Sequence, residues 1–303
     1  MGQAFSKCRT KEQMHNLSEG LSRAFRQALA VPTRMIRDKN PLRKRPHFIP
    51  VLPLILGGDD LLALVPAPWA LDFAMQFCNA YEEAMGDLFK EINLQEVPVP
   101  TVSVAVVICK SKHPFKLAYE AGESRLKDAK RVSKRLGLSG GSRHSSISFE
   151  VVLGGRLVGA SPSGRVRPTL RPYWVHDNIA GGWGFSVRKL VEQRYELRNV
   201  PNKRLIELRD LYDDLPASLK TEDLSPWEAR LNQLLVRIAR EKTNRTAIDS
   251  ALEDLGSKPT GWYRVDRAPD DLWYGHGLPD LIEAWDFALD LGKERQEYEE
   301  GAQ

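Results

Sequence analysis

Two apolar runs flank the stretch Gly57-Gly58-Asp59-Asp60, and this pattern decides the fold. The run Phe48-Ile49-Pro50-Val51-Leu52-Pro53-Leu54-Ile55-Leu56 precedes it, and Leu61-Leu62-Ala63-Leu64-Val65 follows it. Because glycine reaches positive φ without strain, two strands around a glycine-rich turn predict a β-hairpin. The first run is apolar enough for a strand buried on both faces, although its two prolines within 50–53 favour an edge or a bulge.

Asp59 and Asp60 are adjacent carboxylates at the tip of this predicted hairpin. The apolar strands on either side predict partly desolvated surroundings, in which two like charges repel each other. A divalent cation removes that repulsion, and carboxylate oxygens suit Mg²⁺ or Mn²⁺. Two such ions can activate an attacking hydroxyl and stabilise a leaving phosphate. The alternative is an ordinary solvated turn, since Gly-Asp is common in hairpins.

The spacing of apolar residues around the hairpin predicts alternating helices and strands. Helices are predicted near 10–30, 69–92 and 114–136, and further strands at 101–109 and 146–153. Gly154 to Pro172 is rich in glycine, proline and arginine and predicts a domain boundary. We therefore expect one domain over 1–160 and a mainly helical domain over 161–303. The helical periodicity of the second domain is found at 187–211, 226–241 and 278–291.

A basic stripe runs along the predicted helix that begins near Pro114. Lys127, Lys130 and Lys134 are three and four residues apart, which places them on one side of a helix. Such a stripe can bind a triphosphate through point charges. By itself, the stripe is more typical of a solvated helix face.

Composition and motifs disfavour several other classes of protein. The three cysteines form no CxxC pair, which fits a reducing cytoplasm and argues against disulfides and structural zinc. The six histidines lie in unrelated segments, and no Walker A pattern occurs. The longest apolar runs are strand-sized, so no membrane span is expected. The net charge of +4 is compatible with polyphosphate or nucleic-acid partners.

Three segments of the chain resemble the second palm domain of the large subunit of type III CRISPR effector complexes. They are Ile55-Leu56-Gly57-Gly58-Asp59-Asp60-Leu61, Ala129-Lys130-Arg131-Val132-Ser133-Lys134 and Ser145-Ser146-Ile147-Ser148-Phe149-Glu150. The resemblance covers about residues 1–160. It implies an α+β fold: a ferredoxin-like palm, with an antiparallel sheet and helices on one face, followed by the mainly α-helical domain.

The resemblance also implies a function. ATP would be the substrate, Mg²⁺ or Mn²⁺ the cofactor, and cyclic oligoadenylate second messengers for antiviral defence the product. By position, Asp59 and Asp60 would be the catalytic metal ligands. Gly57, Gly58, Lys130 and Lys134 would bind the nucleotide, the lysines through its triphosphate.

One departure from the family leaves several readings open. Family palms begin with a strand that carries another metal-binding aspartate, whereas Met1-Gly2-Gln3-Ala4-Phe5 resembles the segment just after that strand. Either the start is misassigned, or the palm is split or degenerate. The alternative to an active cyclase is therefore a degenerate palm that binds nucleotide or serves as a structural subunit of a CRISPR-related complex. An RNA-binding ferredoxin-like module is a third reading, disfavoured because the strands 48–56, 61–65 and 101–109 contain Phe48 as their sole aromatic residue.

The resemblance and the absence of an internal repeat also predict partners. A palm that joins two nucleotides must present one to the other, and this chain shows a single GGDD hairpin. We therefore expect a homodimer or a second palm-bearing subunit, in addition to ATP and the subunits of a CRISPR ribonucleoprotein.

Overall fold

The computed structural model describes residues 2–39, 49–57, 59–138, 144–152, 169–177, 185–214, 225–238, 242–256, 263–268 and 271–292. The helices are α1 (Gly2–Lys7), α2 (Lys11–Lys39), α3 (Ala70–Glu91), α4 (Phe115–Leu138), α5 (Val187–Glu196), α6 (Asn202–Asp213), α7 (Ser225–Ile238), α8 (Lys242–Asp254) and α9 (Gly277–Glu283). The strands are β1 (Leu52–Gly57), β2 (Asp60–Leu64), β3 (Ser103–Cys109), β4 (Ser146–Val152), β5 (Tyr173–Trp174), β6 (Tyr263–Ala268) and β7 (Asp271–Gly275).

The predicted α+β class is confirmed, with a helix-rich second half that also contains the hairpin β6–β7. The strands form three separate sheets: β1–β2, β3–β4–β5 and β6–β7. The expected antiparallel pairing is found between β1 and β2 and between β4 and β5, whereas β3 and β4 are parallel. Parallel pairing follows from the intervening helix α4, which returns the chain to the starting end of β3. In the described part of the chain, no helix is long and apolar enough to cross a membrane.

The predicted hairpin exists, but its first strand is not buried. Leu52 pairs with Leu64 and Leu56 with Leu61, and the register shifts between Pro53 and Ile55. Every residue of β1 is exposed, so the expectation of burial on both faces was wrong. The prolines were the better guide, because a strand with a missing N–H donor belongs at a sheet edge or a bulge. β2 is more covered than β1, since Leu61 and Ala63 pack against the core.

Helices α2 and α3 form the layer that supports this hairpin. The helix α2 continues to Lys39, beyond the predicted end near residue 30. It passes through Pro32, which costs one backbone hydrogen bond, but the fully buried Ile36 anchors its last turns. A Cβ atom at Gly20 would lie 2.3 Å from Leu88 Cδ1, so glycine allows the closest approach of α2 to α3.

The two faces of the sheet β3–β4–β5 are covered by different helices. Val104 and Val106 of β3 pack against the core that contains α2 and α3. On the opposite face, Gly122 of α4 lies against Val107, and Arg125 of α4 pairs with Glu150 of β4 at 3.5 Å. Successive side chains of a strand point to opposite faces of the sheet, so one face contacts the apolar core and the other contacts α4. The helices therefore do not all lie on one face of this sheet.

Buried carboxylates join segments that lie far apart in the sequence. Asp72 of α3 accepts a hydrogen bond from the backbone N–H of Leu291 at 2.6 Å. Asp280 of α9 accepts from Tyr173 Oη at 2.7 Å and from Arg171 Nε at 2.8 Å. A buried carboxylate is tolerated when hydrogen bonds and cations replace its water. The predicted domain boundary at 160 falls within 153–168, outside the described residues, and stays a prediction.

His276 is a buried titratable group at the start of α9. It is fully buried, and its Nδ1 accepts a hydrogen bond from the backbone N–H of Leu278 at 3.0 Å as an N-cap. Burial lowers the pKa of His276 to about 3, against a hydrogen bond with the Leu252 backbone that raises it. The unfolded chain therefore takes up a proton at this histidine at a higher pH than the folded chain does.

We expect acid destabilisation through His276. Because its folded pKa is depressed, the free energy of unfolding falls as the pH drops from about 6.5 towards 3, by up to about 1.4 kcal/mol per pH unit. Urea unfolding at several pH values measures this slope. In His276→Asn, which keeps an acceptor at the N-cap, the slope is expected to be smaller by this amount. Equal slopes in the parent and the variant would contradict the assignment.

Candidate nucleotide site at the hairpin tip

The hairpin tip presents two carboxylates to solvent. Gly57 pairs with Asp60 at the closed end of the hairpin, and Asp59 occupies the turn. Gly58 lies outside the described residues. Both aspartates are exposed, so the expected partial desolvation of the pair was wrong. The strands extend away from the tip and their apolar residues do not enclose it. An exposed pair remains open to a cation that arrives with a substrate.

Asp59 lies close enough to α3 for its charge to act on Tyr81. Burial raises the pKa of Tyr81, and the negative charge of Asp59 raises it further. The Tyr81 ring is held in place by Phe25 of α2, with ring centroids 4.8 Å apart, and the side chain is only 2% exposed. Tyr81 is therefore a fixed point of α3 that lies within range of the charge at the tip.

The predicted lysines lie exposed on α4. Lys127, Lys130 and Lys134 have no acidic partner within the described ranges. By contrast, Arg125 and Arg131 both pair with Asp128, at 3.2 Å and 3.0 Å. The lysine side of the helix is thus the side with unbalanced positive charge, as an anion site requires.

Hydrogen bonds fix the lysine-bearing end of α4 beside the start of β4. Ser133 Oγ donates to the carbonyl of His144 at 3.0 Å, and Ser146 Oγ donates to the carbonyl of Ala129 at 3.1 Å. Lys130 and Lys134 directly follow Ala129 and Ser133 in the chain. The two lysines therefore lie at the end of the sheet where β3 and β4 begin.

A hydrogen-bonded chain links α3 to that same end of the sheet. Ser145 Oγ accepts from the backbone N–H of Val102 at 2.8 Å and donates to Glu82 Oε1 at 2.5 Å. The other oxygen of Glu82 lies 2.7 Å from Nε2 of His176. Glu82 directly follows Tyr81, on which the charge of Asp59 acts. The α4 lysines and this hydrogen-bonded chain therefore lie at the same end of the sheet.

His144 is the second histidine of this group. Burial lowers the pKa of His144, the charge of His176 lowers it further, and Glu82 opposes both. His144 and His176, which come from unrelated segments of the sequence, therefore lie close enough for their charges to interact. They are 32 residues apart in the chain, and only the antiparallel pairing of β4 with β5 brings them together. Glu82, Ser145 and His176 carried no recognisable motif in the sequence.

The tip offers two hard oxygen-donor residues for a cation. Among the described residues, no group of three or more His, Cys, Asp or Glu side chains could hold a metal ion. Two carboxylates nevertheless suit Mg²⁺, which commonly keeps several waters and binds through one or two carboxylates plus substrate phosphates. The donor set of Asp59 and Asp60 therefore fits a cation shared with a triphosphate.

Comparison with known proteins agrees with this arrangement. The family model for the second palm domain of Cas10/Cmr2 matches residues 1–138, which include the hairpin and the α4 lysines. None of the curated proteins is significantly similar in sequence to this chain. The family implies a nucleotidyltransferase-like palm that belongs to a CRISPR effector complex with other subunits. Residues 1–138, somewhat less than half of the chain, are therefore similar to the second palm domain of Cas10/Cmr2.

Proposed function

We propose that this palm joins ATP molecules into cyclic oligoadenylates, with Asp59 and Asp60 as its metal ligands. The observation that carries the proposal is the exposed pair of carboxylates on the hairpin of a Cas10/Cmr2-type palm. Lys130 and Lys134 of α4, which have no acidic partner among the described residues, support it because a triphosphate needs positive charge next to the cation.

In the proposed reaction, a ribose hydroxyl of one ATP attacks the α-phosphorus of another, and pyrophosphate leaves. Asp59 and Asp60 would hold Mg²⁺ or Mn²⁺, which when bound supplies charge neutralisation at the phosphates. Lys130 and Lys134 contact the β- and γ-phosphate oxygens as point charges. Gly57 and Gly58 carry no side chain and so allow the triphosphate close to the turn backbone.

A second candidate is a degenerate palm that binds nucleotide without turnover. The observation that favours it is the donor set, because the described residues supply no third carboxylate or imidazole within reach of a metal at the tip. Such a palm binds ATP and Mg²⁺ as a structural or regulatory subunit. It differs from the cyclase in one measurable respect, since ATP binding occurs without release of pyrophosphate.

Replacing Asp59 and Asp60 by Asn is expected to abolish metal-dependent ATP turnover and to weaken Mn²⁺ binding, while the fold is kept. Both side chains are exposed, and an amide fits the same space but is a poor ligand for hard cations. Pyrophosphate release and calorimetry with Mn²⁺ measure the two effects. The control Asp210→Asn with Asp214→Asn removes two exposed charges at α6. Unchanged Mn²⁺ binding and turnover in the Asp59/Asp60 variant would contradict the assignment of these aspartates as metal ligands.

Replacing Lys130 and Lys134 by Ala is expected to weaken ATP binding roughly tenfold or more, because charge-assisted phosphate contacts are lost. Thermal stability should hardly change, since both side chains are exposed. Calorimetric titration with a non-hydrolysable ATP analogue measures the affinity. Lys112→Ala with Lys116→Ala is the matched control, because these exposed lysines lie near the start of α4. Equal affinities in both double variants would show that the lysines form an ordinary solvated helix face.

Turnover is expected to require a second palm, supplied by another copy of this chain or by a partner subunit. One hairpin gives one carboxylate pair, and the exposed Leu54, Ile55 and Leu56 of β1 offer an apolar surface for association. Sedimentation with an ATP analogue and Mg²⁺, together with specific activity across protein concentrations, tests this. Ile55→Lys should reduce both association and activity, whereas Val236→Lys on α7 should reduce neither. A monomer with concentration-independent specific activity would refute the requirement.

A further inference from the structure

The group formed by Ser145, Glu82 and His176 is built as a carboxylate-oriented imidazole. Glu82 is an acceptor, so the hydrogen bond of 2.7 Å requires Nε2 of His176 to carry the proton. This leaves Nδ1 of the neutral ring as the nitrogen with the lone pair. The second oxygen of Glu82 is held by Ser145, which is fully buried and fixed in turn by the backbone N–H of Val102. An imidazole oriented in this way is the usual form of a histidine that accepts a proton.

The imidazole is more accessible from solvent than the residues that orient it. The side chain of His176 is 39% exposed and that of Glu82 is 21% exposed, while Ser145 is fully buried. A purely structural link between α3 and β5 needs no exposed ring. A proton acceptor needs one face open to substrate and the other held by the protein.

The topology brings His176 to the lysine-bearing end of the sheet. The strand β5 is antiparallel to β4, with Trp174 opposite Ser146, so the chain leaves β5 at the end where β4 begins. The backbone N–H of Val175 donates to the carbonyl of Ser145 at 3.0 Å, and His176 follows. Ser146 also donates to the carbonyl of Ala129, which directly precedes Lys130 on α4. His176 therefore lies at the end of the sheet where the proposed triphosphate contacts of α4 are found.

We propose that His176, oriented by Glu82, is the proton acceptor for the hydroxyl group that attacks ATP; this assignment rests on the function proposed above. The hydroxyl oxygen forms the new bond to the α-phosphorus, and its proton passes to Nδ1 of His176. The bond from the α-phosphorus to the bridging oxygen breaks at the same centre, and pyrophosphate leaves with that electron pair. His176 then returns the proton to solvent through its exposed face.

Several charged groups surround His176. Glu82 faces it from α3, His144 from the segment before β4, and the neighbouring Asp177 is bonded to Ser186 and lies 3.8 Å from Arg188 at the start of α5. A proton acceptor must be the neutral ring, whose lone pair is at Nδ1. The rate of a step that depends on a neutral general base rises with pH.

The placement is tested first by Mn²⁺ titration of the full chain with NMR detection of the histidine rings, which needs no turnover. Mn²⁺ bound at Asp59 and Asp60 is expected to broaden the ring signals of His176 and His144. The signal of His113 serves as the internal control, because it lies past the far end of the seven-residue β3, about 20 Å from its start. Asp59→Asn with Asp60→Asn should remove the broadening. A sharp His176 signal in the presence of bound Mn²⁺ overturns the proposal.

The role is tested by the pH profile of pyrophosphate release. His176→Asn is expected to lower turnover about 10²–10⁴-fold near pH 7 with little change in the Kd for ATP, and to remove the rise of rate with pH. Glu82→Gln should lower turnover with little change in the Kd for ATP, and added imidazole should partly rescue His176→Ala. His15→Asn, on the exposed face of α2, is the control that keeps the parental profile.

The outcomes separate the two proposals. A parent chain that turns over ATP, with His176→Asn retaining both its rate and its pH dependence, overturns the histidine assignment alone. A parent chain that releases no pyrophosphate with any second palm, or that keeps full turnover without Asp59 and Asp60, overturns the proposed function itself. Should His176→Asn not fold, the Mn²⁺ broadening measured on the parent still decides where His176 lies.

Discussion

The packing of α3 is the constraint on which the rest of the structure depends. Its apolar side chains, among them Phe77, Tyr81 and Leu88, are buried against α2 and the surrounding core. Two of its polar side chains make hydrogen bonds to distant segments. Asp72 accepts one from the backbone N–H of Leu291, and Glu82 is bonded to Ser145 and His176. One helix, α3, therefore contacts both the sheet and the C-terminal segment and holds them in place.

This arrangement explains how an exposed hairpin can be part of a precise site. The strands β1 and β2 make a two-stranded sheet of their own, and such a hairpin is only marginally stable by itself. It gains order from Leu61, Ala63 and Val65, which pack against the core that contains α3. The tip carboxylates remain open to solvent. Openness suits the proposed binding of a triphosphate and a second nucleotide.

The same features leave the hairpin and β3 with apolar surface that the described residues do not cover. Leu54, Ile55 and Leu64 are exposed on the hairpin, and β3 is less buried than its neighbour β4. Apolar strands with a free edge are places where another polypeptide can add backbone hydrogen bonds. Such surface is suited to association with another protein.

The sequence by itself determined the local elements and two parts of the site. The glycine turn between apolar runs predicted the hairpin and put Asp59 and Asp60 at its tip, and helical spacing put Lys130 and Lys134 on one side of α4. Both inferences depend on residues within one turn or one helix, where spacing translates directly into geometry.

Only the tertiary structure decided which elements meet. Glu82 and His176 are separated by 94 positions, and their contact depends on how α3 lies beneath β4 and β5. The exposure of β1 and the solvation of the aspartates were likewise decided by what packs against the hairpin, not by its own composition. The parallel pairing of β3 with β4 depends on the path of α4. Periodicity reports which face of an element is apolar, whereas the identity of the partner that covers it is set by long-range packing.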